Sequence, residues 1–166
     1  MTYIRNTDPL FWNTNRKSCN CGSFALNVTS WFCPYDNDDE YTDKYRSSLI
    51  QEMFDEGFSK ESIIDNILEL DQEAILKACP WLEPVLLEET SIEDRVVSYR
   101  LYLDDDDFFG NIDDDYHFRV RINGFWFEKC GEDPIRFLGT AADEEPWQVS
   151  HYLIYDSDVK YFRFKN

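Results

Sequence analysis

Two short segments hold the residues whose types and spacing suit chemistry. One is Asn20-Cys21-Gly22-Ser23-Phe24-Ala25-Leu26, and the other, far downstream, is Asp115-Tyr116-His117-Phe118. A polar residue, a cysteine, two small residues and an aromatic, followed by an apolar run, suit a cysteine at the N-terminus of a buried helix. Unpaired N–H groups and the helix dipole there favour the thiolate, the reactive form of the side chain. A thiolate needs a proton acceptor, and the chain offers two histidines, His117 and His151. Cys21 has a second reading as a small buried side chain, since free cysteines are among the most buried residue types, and the same reading covers Cys33 and Cys79.

Other chemistries fit the spacing less well. Cys19-Asn20-Cys21 with Cys33, Cys130 or a histidine supplies four thiol or imidazole groups, but the spacing matches no common zinc module. The acidic run Asp104 to Tyr116 invites a calcium loop. With Gly110 as the turn glycine, Phe109 takes a ligand position and Tyr116 stands where a bidentate Glu is required. Neither a metal nor a cofactor is therefore expected. His151 sits in Gln148-Val149-Ser150-His151-Tyr152, with no supporting motif, and is the alternative base.

The elements that must position these residues can be read from periodicity. Residues 1–20, rich in Asn, Thr and Ser, read as an irregular arm. A helix is expected from Cys21 to about Phe32, with Phe24, Val28, Trp31 and Phe32 on one face, ended by Pro34. Tyr45, Leu49, Met53 and Phe54 recur at helical spacing up to Gly57. Ser59 then caps a helix whose stripe is Ile63, Ile64, Ile67, Leu68, Ile75 and Leu76. These two form an αα-hairpin with its charge outward, and Cys79-Pro80 ends it. From Arg95 to Leu103 the pattern changes to strand alternation. Residues 147–155 and 159–164 read as two later strands joined by a turn at Asp156-Ser157-Asp158. Helices first and strands afterwards give an α+β domain, with N-terminal helices packed on an antiparallel sheet.

The clearest local signal is Asn123-Gly124, the favoured two-residue turn of a β-hairpin. It pairs Ile122 with Phe125, Arg121 with Trp126, Val120 with Phe127 and Arg119 with Glu128, and it sets His117 opposite Cys130. His117, Arg119 and Arg121 share one face. Glu128 lies on that face diagonal to His117, at about 7–8 Å between Cα atoms. A carboxylate there either holds the imidazole in one tautomer or pairs with Arg119 directly across; the spacing leaves both open.

Length and charge bound the rest. A chain of 166 residues makes one domain with a real core. No apolar run spans a bilayer and the first residues show no export signal, so a cytoplasmic protein with reduced thiols is expected. The formal net charge is −18, and it is uneven. Residues 36–115 carry 25 of the 34 acidic and 6 of the 16 basic groups, a net −19, which leaves a nearly neutral frame at 1–35 and 116–166. That balance disfavours direct nucleic-acid binding.

The nucleophile segment resembles that of NlpC-like papain-fold cysteine peptidases and amidases. Those have a polar residue, Cys, a small pair, an aromatic and a small apolar residue at a helix start. Their histidine opens a strand, and a third polar residue follows about a dozen positions later on the neighbouring strand. Residues 19–30 and 115–131 carry the likeness; Gly22-Ser23 reverses the usual small pair, Glu128 is an uncommon third member, and the Cys21–His117 spacing is longer. The resemblance implies a papain-like core with residues 36–115 as an acidic, partly helical insertion. It implies Cys21 as nucleophile, His117 as acid and base, and Glu128 as third member, acting on a peptide, protein or amide substrate through a thioester. The competing expectation is a non-catalytic acidic protein. Asp104, Asp105, Asp106, Asp107, Asp113, Asp114 and Asp115 would then imitate nucleic-acid phosphates toward a basic protein partner.

Overall fold

The structure is a computed structural model that describes residues 18–35, 40–104, 112–140, 147–148 and 154–165. Most of the expected N-terminal arm, the calcium-like loop through Gly110, and His151 lie outside the described residues.

Helix α1 (Cys21–Leu26) opens on a reciprocal cap, in which the Asn20 side chain accepts the Ser23 N–H and the Ser23 hydroxyl accepts the Asn20 N–H. It is shorter than the expected run to Phe32. Asn27 adopts the left-handed conformation (φ 58°) and its N–H turns back to the Ser23 carbonyl, which ends the helix. Helices α2 (Asp43–Asp55) and α3 (Lys60–Ala78) form the expected hairpin. Thr42 and Ser59 cap them through their hydroxyls, each cap contributing about 1 kcal/mol. Gly57 supplies the left-handed turn between them at φ 86°. The α3 stripe is as read, but α2 turns Arg46, Ile50 and Met53 inward and leaves Tyr45 and Phe54 exposed. The cause is Asp71, a buried acid on α3 that receives Arg46 Nε at 3.1 Å. A charge takes an apolar position because its partner is there to neutralise it.

The strands are β1 (Leu82–Pro84), β2 (Val96–Asp104), β3 (Asp113–Ile122), β4 (Phe125–Glu128), β5 (Arg136–Gly139), β6 (Trp147–Gln148), β7 (Ile154–Tyr155) and β8 (Lys160–Phe164). Six of them form an antiparallel sheet in the order β1-β8-β2-β3-β4-β5, while β6 and β7 pair with each other. The protein is thus a mixed α+β fold. The Asn123-Gly124 hairpin has the expected register, Arg119 opposite Glu128 through Ile122 opposite Phe125. The expected single strand 147–155 is instead two short strands with Trp147 opposite Tyr155. The final strand pairs with β1 and β2, not with its predecessor across Asp156-Ser157-Asp158.

Helices cover one face of the sheet, over Val97, Tyr99, Leu101, Phe118, Val120 and Phe162. The opposite face presents Arg100, His117, Arg119 and Glu128 under Trp147 and Tyr155. The guanidinium groups of Arg100 and Arg119 lie 5.1 and 4.4 Å from the Trp147 ring centre. With both faces covered, β2 buries its alternate residues too, including Val96, Ser98 and Arg100. Because β2 runs between β8 and β3, residues 36–115 contribute both the acidic helical hairpin and a central strand of the sheet. No disulfide joins any of the five cysteines. Among the described residues, no helix is long and apolar enough to cross a membrane.

Candidate active site

Helix α1 reaches β3 because nothing larger than a hydrogen stands at Gly22. A Cβ added there would lie 2.9 Å from a Phe32 ring carbon and 3.3 Å from the Phe118 ring. Phe32 and Phe118 meet edge to face at 5.8 Å, sealing the contact. The Asn20 amide fixes the loop after α1: Oδ1 accepts the Phe32 N–H at 3.1 Å and Nδ2 donates to the Phe32 carbonyl at 2.7 Å. The Tyr116 hydroxyl donates to the same carbonyl at 2.8 Å. The β3–β4 ladder stops at Arg119 opposite Glu128. One residue beyond that end, the Phe118 backbone amide acts to lower the pKa of the Cys21 thiol.

His117, buried beneath the β6–β7 pair, is held on several sides. Its Nε2 lies 3.1 Å from Glu128 Oε2. Its ring stacks obliquely on Tyr155 at 5.4 Å and meets the Trp147 edge at 6.1 Å. Glu128 is fully buried, and its same oxygen accepts Arg119 Nε at 2.8 Å. Its other oxygen accepts from Arg136 Nη2 and faces the Cys130 thiol at 3.8 Å. The two roles open to Glu128 therefore coexist: it binds His117 and Arg119 at once. Burial pushes the Glu128 carboxyl upward, but the His117 hydrogen bond and the His117 and Arg119 charges outweigh it and bring it down to about 2. An ionised Glu128 makes Nε2 the donor, which leaves Nδ1 as the ring nitrogen free to exchange a proton.

Cys21, His117, Asp115, Cys130, Tyr155 and the half-exposed Trp31 border a common cleft of about 360 Å³. Cys21 is 6% exposed. Burial pushes its thiol up to about 12, against the pull of the Phe118 amide and with the Asp115 charge adding to the rise. The resting side chain is thus a neutral thiol, not the thiolate expected from its position at a helix start. A six-residue helix and the Phe118 and Gly22 amides do not offset that desolvation.

The acidic candidates divide. Asp113 is exposed, and Asp104 accepts from the Tyr102 hydroxyl at 2.9 Å. Asp114 accepts from Arg46, while Asp115 Oδ2 accepts from the Tyr155 hydroxyl at 2.7 Å. The last two are committed inside the fold, and Asp105–Asp107 lie outside the described residues. Sequence reasoning missed Tyr155, Trp147 and Arg136 as supports of His117 and Glu128. All three belong to other elements, and no local pattern reports a contact made across elements.

Among the described residues, His117, Glu128 and Cys130 bring potential metal-ligating atoms within 4.8 Å of one another. Arg119 and Arg136 already occupy both Glu128 oxygens, so a divalent cation would meet two guanidinium charges there. The electrostatics suit a fixed carboxylate better than a metal centre. Comparison with protein-family models, with curated proteins and with solved structures gave no match.

Proposed function

We propose that the protein is a cysteine-dependent hydrolase of the peptidase or amidase class, with Cys21 as nucleophile, His117 as acid and base, and Glu128 as the residue orienting His117. The observation that carries this reading is one cleft bordered by both Cys21 and His117, with the far nitrogen of the imidazole already engaged by an ionised carboxylate. The likeness of both segments to NlpC-like papain-fold enzymes points the same way.

The chemistry starts from a neutral thiol. As Cys21 Sγ attacks a substrate carbonyl carbon, its proton passes to His117 Nδ1, and Glu128 stabilises the imidazolium that forms. The Cys21 backbone N–H, in the first turn of α1, is a donor for the oxyanion. Collapse of the tetrahedral species breaks the C–N bond, and His117 returns its proton to the leaving amine. Water, deprotonated by His117, then attacks the thioester; the C–S bond breaks, releasing a carboxylic acid and restoring the thiol.

The substrate is a peptide, protein or amide, and charge favours a basic one. Asp43, Glu52, Asp55, Glu56, Glu61, Asp65, Glu69 and Glu73 stand exposed on the α2–α3 hairpin, and Asp115 borders the cleft. The test is labelling by a thiol-directed peptidyl probe together with hydrolysis of a peptidyl-amide panel. Label lost in Cys21→Ala and kept in Cys130→Ala, with hydrolysis lost in Cys21→Ala and His117→Ala, supports the reading. Hydrolysis that survives Cys21→Ala ends it.

A further inference from the structure

Trp31 is 50% exposed on the wall of the cleft, yet the loop that carries it is fixed on both sides. Before it, the Ser23 hydroxyl donates to the Ser30 carbonyl at 2.6 Å. After it, the Asn20 side chain takes both the N–H and the carbonyl of Phe32. Asn20 and Ser23 are themselves buried, and they form the reciprocal cap of the Cys21 helix. The residues that set the start of that helix thus also set the backbone of an exposed indole. A ligand that packs on Trp31 meets a backbone already ordered.

Asp115 borders the same cleft. Its Oδ1 accepts the Tyr116 N–H at 2.8 Å and its Oδ2 the Tyr155 hydroxyl at 2.7 Å. Each bond uses one lone pair, so each oxygen keeps another for a guest. Its neighbour Asp114 has a cation in Arg46, whereas among the described residues no basic side chain pairs with Asp115. Among the described residues that border the cleft, Asp115 is the one carboxylate, and neither a lysine nor an arginine stands beside it.

We propose that Trp31 and Asp115 are the specificity-determining residues of the cleft and together receive a cationic side chain of the substrate, arginine above all, beside the bond that Cys21 attacks. The place of that side chain in hydrolysis rests on the reading of Cys21 and His117 as a catalytic pair; the binding of the cation does not. A cleft of about 360 Å³ holds one long side chain and a short stretch of backbone. A guanidinium is planar, so it stacks on an indole while its N–H groups reach a carboxylate, and it sheds water more readily than an ammonium. Citrulline has the same shape without the charge and gains neither the ion pair nor the cation–π contact.

The experiment is an NMR titration of the isotope-labelled full chain with N-acetyl-arginine methylamide and with its citrulline counterpart. The arginine probe is expected to bind about tenfold more tightly or better, with shifts at Cys21, Trp31 and Asp115. Asp115→Asn, which keeps an acceptor for the Tyr155 hydroxyl, should bring the two probes within about twofold of each other. Trp31→Ala should weaken the arginine probe about fivefold. If Asp115 is only structural, its substitution weakens both probes alike and their ratio holds, which overturns the proposal. Equal binding of the two probes to wild type also overturns it, and that comparison needs no variant to fold. Arginine-induced shifts confined to the acidic α2–α3 hairpin do the same. Methylamine released into the same samples reads the hydrolase proposal separately: an arginine preference without release supports the recognition and counts against the cleavage.

Discussion

Two buried charge clusters lie on opposite faces of the sheet, and their difference separates scaffold from site. On the helix side, Asp71 receives Arg46 through Nε and Nη2, the Tyr41 hydroxyl at 2.7 Å and the Tyr99 hydroxyl at 2.5 Å. Arg46 continues to Asp114 on β3. On the other side, Glu128 receives Arg119, Arg136 and His117. Both clusters neutralise a buried carboxylate with guanidinium groups. The cavity beside Arg46 has room for about 10 Å³ and is lined mainly by Ile50, Ile63, Ile64, Ile67 and Leu101. The second cluster ends in an imidazole that borders an open cleft with a thiol on its wall. Charge burial alone does not make a site; an imidazole and a thiol bordering one cleft do.

The largest effect that would break this contrast is catalytic. Cys21→Ala and His117→Ala should each lower turnover of peptidyl amides by roughly 10⁴-fold or more, measured as kcat on the wild type's best substrate. Next, Glu128→Gln and Asp71→Asn make a matched pair. Each strips a buried carboxylate from its cations and should cost about 3–5 kcal/mol by chemical denaturation. Only Glu128→Gln should also lower turnover per folded molecule, by about 10²–10⁴-fold, because it releases the imidazole orientation. Equal turnover losses in the two variants would erase the distinction between the clusters.

Acid sharpens the comparison at a smaller scale. The Glu128 carboxyl titrates at about 2 in the folded chain against 4.5 for an ordinary Glu. As pH falls, the unfolded chain therefore takes up this proton first. The contribution of Glu128 to stability is complete above the ordinary Glu range and fades between pH 4.5 and about 2. Denaturation midpoints across that window should fall in wild type, and Glu128→Gln should remove about 3 kcal/mol of the decline. Smallest is Gly22→Ala, which forces the Phe32 ring aside and should cost about 1–3 kcal/mol in denaturation, with α1 displaced from β3.

Local signals were legible and long-range ones were not. The Asn123-Gly124 turn set the β3–β4 register and so placed Glu128 on the His117 face. Caps at Ser59 and the αα-hairpin followed from side-chain chemistry within a few residues. Arg46 and Asp71 were not legible as buried, since each reads as a solvated charge until the other is seen across the helix pair. Trp147 and Tyr155 read as one strand because the pattern of apolar residues does not reveal that the two pair across antiparallel strands. The sequence left Cys21 open between a reactive thiolate and a small buried side chain for a related reason. A helix start can be recognised from sequence, but how deeply the packed fold desolvates its first residue cannot.

The pairing of Cys21 with His117 is tested most directly by acylation with p-nitrophenyl acetate, quenched in acid and mapped by peptide mass spectrometry. A working pair places a single acetyl thioester on Cys21 in wild type, with a matching burst of p-nitrophenol, and loses both in His117→Ala. Acetylation of Cys130 or Cys33 with Cys21 unmodified, or a Cys21 adduct formed equally fast without His117, would contradict it.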